Sequence, residues 1–174
     1  SPDLHQLVHA AVQRFGRIDV LINNAGIECF SEFDALTETE IEQTIATNLT
    51  GAILLTRLVV PLMKSQRFGR IINMASTAGK HGPAYGAVYG ATKAGLIGLV
   101  KSAAHELRPY GVRINAVSPG LVATPVFLAS ASAFSRASLE SFVFLMRSSS
   151  WAISSRPSSP SPSSFWIALS CSLR

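Results

Sequence analysis

Two hydrophobic periods alternate along the chain. Leu4, Leu7, Val8, Ala11, Val12 and Phe15 recur at helical spacing, and Gly16 follows as a stop. Ile18-Asp19-Val20-Leu21-Ile22 then has the short apolar form of a buried strand and ends in Asn23-Asn24-Ala25-Gly26. Thr37-Glu38-Thr39-Glu40 is a capping box, in which a Thr and a Glu side chain satisfy two helix N–H groups that have no intrahelical partner. It opens a long helix toward Lys64, with Pro61 near its end or kinking it. Residues 69–75 predict a second strand, 85–107 a helix, and 112–117 a third strand.

Strands separated by helices imply a parallel sheet with right-handed crossovers, and helices on both faces make three layers. Ligands of such sheets bind beyond the carboxyl ends of the strands. Those ends are Asn23-Asn24-Ala25-Gly26, Ser76-Thr77 and Ser118-Pro119-Gly120, all polar or small.

Composition narrows the classes. A chain of 174 residues suffices for one domain with a core. No unbroken apolar run approaches the roughly 18 residues of a membrane helix, so no membrane partner is expected. The start, Ser1-Pro2-Asp3, is neither an initiator Met nor a signal sequence and is expected to be a cut end. Cys29 and Cys171 form no motif, which fits a reducing, cytoplasmic setting without a disulfide. No His/Cys/Asp spacing suggests a metal. The net charge of +5 is thinly spread, with 11 Lys/Arg against 9 Asp/Glu in residues 1–125 and 4 against 1 beyond. No basic cluster shows in the sequence, so nucleic-acid binding is not expected. After Pro125 the text changes, and serine fills 17 of the last 49 positions. Residues 1–127 are read as the folded region and 128–174 as a Ser/Pro-rich tail, disordered or frameshifted.

Candidate chemistry clusters at the strand ends. Tyr89 and Lys93, four apart on one helix face, pair a phenol with an ammonium. At about 5 Å and an effective dielectric near 20, that attraction is of order 3 kcal/mol and would lower the phenol pKa toward a range useful for proton transfer. Ser76 stands just past a strand, where its hydroxyl can meet a substrate oxygen. Asn48 is a polar residue amid Ile45, Leu49 and Ile53, costly unless its amide is bonded. Alone, the Tyr/Lys spacing is weak and Asn48 reads as a helix bend satisfied by water. His81 reads as a solvated loop residue, and His105 and Glu106 as the wet side of their helix.

Taken in order, Asn23-Asn24-Ala25-Gly26, Asn48, Ser76, Tyr89-x-x-x-Lys93 and Pro119-Gly120 resemble the short-chain dehydrogenase/reductase family over about residues 3–125. The resemblance implies a partial Rossmann-like three-layer α/β/α domain with parallel strands, missing the first βαβ units. It implies NAD or NADP as cofactor and a small-molecule ketone or secondary alcohol as substrate, with 3-oxoacyl thioesters within range. Tyr89 would exchange the substrate proton. Lys93 would lower its pKa and hold the cofactor ribose, Ser76 would fix the substrate oxygen, and Asn48 would bond a relay water. Asn23, Ala25, Gly26, Pro119, Gly120 and Thr124 would border the cofactor. The intact protein would form a homo-oligomer through its long helices.

Two departures limit that reading. No Gly-x-x-x-Gly-x-Gly loop, the family's pyrophosphate cradle, occurs in the 174 residues. The alternative is therefore a catalytically inactive truncated fragment without nucleotide binding. The tail also reads in a shifted frame. Codons spanning Trp151-Ala152, Phe165-Trp166 and Trp166-Ile167 are forced to Gly, Leu and Asp. The codons between them permit a Pro-Glu to Phe-Leu line that resembles the family's closing helix.

Overall fold

A computed structural model of the chain describes residues 2–120 and the strand at 166–169. The elements run α1 (Pro2–Phe15), β1 (Val20–Asn23), α2 (Glu38–Ile45), α3 (Gly51–Gln66), β2 (Gly69–Met74), α4 (Ala78–His81), α5 (Ala87–Leu107), β3 (Val112–Val117) and β4 (Trp166–Leu169). By its contacts the chain divides into two units, Ser1–Pro119 with Pro162–Arg174, and Gly120–Ser161. The elements above all belong to the first. The sequence boundary after residue 127 and the Ser/Pro-rich stretch to 165 lie outside the described residues, as does Cys171; Cys29 is a free thiol.

All pairings are parallel, in the order β3-β2-β1-β4. The register sets Asn23 beside Asn73 and Asn73 beside Ala116. The sequence reading assigned no element to 166–169. In the structure the apolar run Trp166-Ile167-Ala168-Leu169 pairs with β1 on the side away from β2, satisfying backbone groups that an edge strand would leave open.

Both crossovers, β1 to β2 and β2 to β3, step the same way across the sheet. Right-handedness therefore puts their helices, α3 and α5, on one face. α1 packs against α3. The larger of two core clusters among the described residues results, with Ile18 and Leu21 from the first strand region, Leu55, Val59 and Met63 from α3, Ile71 from β2, Leu107 from α5, and Val112 and Ile114 from β3; Ala52, Ala75 and Leu96 form the smaller. Truncating a buried Leu such as Leu55 to Ala would cost about 2–5 kcal/mol. Burial alternates along β2, and β3 exposes Arg113, Asn115 and Val117 on its other side. A second helical layer, part of the three-layer expectation, is not among the described residues.

The Thr37 box is formed: Thr37 Oγ1 accepts from the Glu40 N–H at 3.2 Å, and Glu40 Oε2 accepts from the Thr37 N–H at 2.9 Å. The Thr37 N–H and the Thr37 hydroxyl both donate to the Glu40 carboxylate and hold it below its ordinary pKa. The long helix is broken where the sequence expected continuity. Residues 46–50 form a π-turn between α2 and α3, centred on buried Asn48. Pro61 lies inside α3 without ending it. The whole helical run Glu38–Gln66 is long and apolar enough, by length and composition, to cross a membrane. Counting unbroken apolar runs had passed over it because Thr, Asn and Arg are spaced through it. Its Leu55, Val59 and Met63 are core residues.

Candidate active site

Three segments meet at the carboxyl ends of β1 and β2. The chain leaves β2 at Met74, places Ser76 two residues on, and turns through α4. That turn lies directly on α5. A Cβ at Gly79 would stand 2.6 Å from the Lys93 carbonyl carbon and the Ala94 nitrogen, so only glycine permits this approach. A Cβ at Gly90 would likewise come within 3.2 Å of the Ala78 carbonyl oxygen. The Thr77 N–H donates to the Pro119 carbonyl at 2.9 Å, tying the turn to the segment after β3. Backbone contact thus fixes Ser76 against Tyr89 and Lys93, and the Ser76 hydroxyl hydrogen-bonds the phenol. Ser76 Oγ also accepts from the Ala78 N–H at 3.1 Å.

Lys93 is almost wholly buried, 5% exposed, and its Nζ donates to the Met74 carbonyl at 2.8 Å. It lies 5.5 Å from the Tyr89 ring centroid. Asn48 is 1% exposed and is fully bonded within the protein. Its Oδ1 accepts from the Ile27 N–H at 2.8 Å, and its Nδ2 donates to the Ile27 carbonyl at 2.9 Å and to Thr92 Oγ1 at 3.3 Å. The π-turn turns this amide onto the loop after β1, a use of π-bulges common at functional sites. The bend that Asn48 suggests when taken alone is present as this π-turn, and its amide is bonded to Ile27. Gly26 lies between the two groups, and a Cβ there would stand 3.4 Å from both Asn48 Oδ1 and Lys93 Nζ.

The electrostatics correct one expectation. Burial pushes the Tyr89 phenol above its ordinary pKa. The Ser76 hydrogen bond opposes the rise and the Glu28 carboxylate adds to it. Burial also lowers the Lys93 ammonium, with Glu28 opposing. The sequence argument had Lys93 lowering Tyr89. In this arrangement the ammonium is turned to the Met74 carbonyl, and loss of water around the phenol dominates.

Asn48, Ser76, Tyr89 and Lys93, spread over 46 positions, therefore converge. Ala25 and Gly26 lie in the adjoining loop. Asn23 is turned into the fold instead: its Nδ2 donates to Asn73 Oδ1 at 2.8 Å and to Thr56 Oγ1 at 3.1 Å, joining β1 to β2 and α3. Pro119 anchors Thr77, Gly120 follows it in the chain, and Thr124 lies outside the described residues. His81 is exposed, and Glu106 pairs with Lys64 at 2.9 Å. No cluster of metal-ligating side chains occurs among the described residues.

Sequence reasoning missed three neighbours. Thr92 links Asn48 to the Tyr89 carbonyl, to which it donates at 2.7 Å. Phe30 packs its ring 5.8 Å from that of Tyr89, on a loop held by the Ser31 N–H to Tyr85 carbonyl bond. Glu28 biases both titrating groups. Glu28 and Phe30 directly follow the Asn23–Gly26 strand end, and that position was the available signal.

The sequence profile of a family described as short chain dehydrogenase matches residues 1–133. A monensin polyketide synthase putative ketoacyl reductase from Streptomyces virginiae is 47% identical over 121 residues, covering 68% of this chain and 46% of that protein. The 3-oxoacyl-[acyl-carrier-protein] reductase FabG of Thermotoga maritima is 42% identical over 123 residues, covering 71% and 50%. Among solved structures, ElxO with NADP bound superposes with a TM-score of 0.74 at 34% identity, over 79% of this chain and 57% of that one. NAD+-bound xylitol dehydrogenase does so at 0.70 and 34%, over 76% and 54%. The chain spans about half the length of the curated relatives it matches. Motif order, parallel sheet, site convergence and these likenesses agree, and the chain belongs to the short-chain dehydrogenase family, whose members are oxidoreductases.

Proposed function

We propose that the protein of which these residues form the catalytic segment interconverts a ketone and a secondary alcohol with NAD or NADP. The observation that carries this reading is the Ser76–Tyr89–Lys93–Asn48 assembly at the strand ends. Tyr89, like any phenol, is protonated at neutral pH and would give its proton to a carbonyl oxygen during reduction; its raised pKa keeps it protonated and makes it a weaker acid. The Ser76 hydroxyl, beside that phenol, would hold the same oxygen and stabilise its developing negative charge. The Phe30 ring covers one side of the phenol and limits water there. Lys93 offers a buried ammonium that would reach the ribose hydroxyls, and Asn48 keeps the Gly26 loop in place beside it.

The residues present fit the nicotinamide end of a dinucleotide. Gly26 puts no side chain beside Lys93 Nζ, whose bond to the Met74 carbonyl uses one of its three donor hydrogens, so the others would serve the ribose hydroxyls. Tyr89, Lys93, Ala25, Gly26, Pro119, Gly120 and Thr124 would border that end, and Asn23 would support it from inside the sheet. When bound, the cofactor supplies or accepts the hydride. Substrates would be small ketones or alcohols, and the intact protein would be a cytoplasmic homo-oligomer without membrane or nucleic-acid partners.

The absent Gly-x-x-x-Gly-x-Gly loop favours a second reading for the 174 residues alone, an inactive fragment that binds dinucleotide weakly. One experiment tests both. The chain is assayed alone, and again joined to a family member's N-terminal strand–helix segment and C-terminus. The joined protein is expected to reduce a ketone with NADH or NADPH, and its Tyr89→Phe variant to lose about 10²–10⁴-fold in kcat while still binding cofactor. Near-normal turnover in Tyr89→Phe would reject the acid role. Micromolar cofactor binding by the 174 residues alone would reject the fragment reading.

A further inference from the structure

Residues 51–117 hold nine Lys/Arg and a single acid, Glu106, whereas residues 1–50 hold two Lys/Arg and eight acids. The excess looks diffuse in sequence, but the fold gathers four arginines from two distant segments. Arg67 and Arg70 flank the start of β2, and Arg108 and Arg113 flank the start of β3. Together they line a cleft of about 650 Å³ with Phe68, Ala104 and residues 112–115 of β3, the end strand of the sheet. No carboxylate lines it, and the single acid of that stretch, Glu106, is engaged by Lys64 at 2.9 Å.

The cleft is built rather than incidental. Gly111 has φ 74°, and a Cβ there would collide with the Arg67 carbonyl, so the loops before β2 and β3 close on each other only through glycine. Arg70 locks the junction. It donates to the Gly69 carbonyl at 2.7 Å and the Gly111 carbonyl at 3.2 Å, and its guanidinium lies 4.3 Å from the Phe68 ring centroid. No ion pair engages Arg67, Arg108 or Arg113 among the described residues.

We propose that this cleft is a second binding site, for a small phosphate ester, at the end of the sheet opposite Tyr89 and Lys93. Guanidinium groups present planar, forked donors that match phosphoryl oxygens, and several directed at one anion relieve their mutual repulsion. The volume falls within the range of small-ligand sites, and the exposed Phe68 ring offers an apolar face to the organic body of an ester. The charge preference comes from Arg67, Arg108 and Arg113, whose side chains are exposed and lie outside the core cluster.

Calorimetric titration of the 174-residue chain with inorganic pyrophosphate and with ATP tests this. Both should bind, ATP more tightly, with affinity falling as salt rises. Arg67→Gln with Arg113→Gln should weaken binding about tenfold or more, with an unchanged melting temperature. Arg108→Gln alone should weaken it less, which keeps the test open should the double variant fold poorly. Backbone amide shifts should map to 67–70 and 108–115. Binding that survives these substitutions, or that Lys93→Met abolishes, overturns the site. So does absence of binding at millimolar ligand. An oligonucleotide that binds while pyrophosphate neither binds nor competes would replace the proposal with a nucleic-acid surface.

Discussion

The two ends of the sheet handle polar groups in opposite ways. At the carboxyl ends, Asn48 and Lys93 are nearly sealed from water, and each has a partner on another segment. At the amino ends, Arg67, Arg108 and Arg113 are exposed and share no ion pair among the described residues. Burial makes each polar atom costly unless it is paired, so the first end is rigid and specific. Exposure lets water and salt screen charge, so the second end accumulates one sign of it at a small cost in mutual repulsion. A site for chemistry and a site for attraction are thus built by different rules on one scaffold.

The sharpest break in that contrast is Lys93→Met in the joined protein. It should lower both turnover and cofactor affinity, because the ammonium is assigned both to the phenol's surroundings and to the ribose. Steady-state rates with a parallel cofactor titration check this, and loss of rate with unchanged cofactor binding would remove the ribose role.

Asn48→Ala probes the cost of burial directly. It strips both backbone partners from Ile27 inside the fold, and an unsatisfied buried group costs about 1–3 kcal/mol. Urea unfolding should show a lower midpoint with an unchanged slope. A midpoint equal to the parent's would mean that the clamp adds nothing.

Glu28→Gln gives the smallest effect, since Glu28 is exposed and its influence is screened. Burial raises Tyr89, the Ser76 bond opposes that rise and the Glu28 carboxylate adds the smallest part to it; for Lys93, burial lowers the ammonium and Glu28 opposes. Removing the charge lets both values fall. The rise of alcohol oxidation with pH, which follows phenolate formation, should therefore begin at lower pH, most visibly at low salt. An alkaline displacement of the pH–rate profile would show the sign to be wrong.

Local chemistry determined a good deal by itself. Hydrophobic period located α1, α3, α5 and three strands, and the Thr37 box marked the start of α2, because these signals depend on neighbours a few residues apart. Motif order marked Asn48, Ser76, Tyr89 and Lys93, since backbone position and residue type are both written locally. Tertiary structure decided what those groups touch. It turned Asn48 onto Ile27 through a π-turn, sent the Asn23 amide inward to Asn73, and raised rather than lowered Tyr89. It set Trp166–Leu169 beside β1 and drew Arg67 and Arg113 together across a glycine junction. Periodicity records which side of an element is apolar. Desolvation, hydrogen-bond pairing and charge proximity depend on which distant segment arrives there, and only the packed chain specifies that.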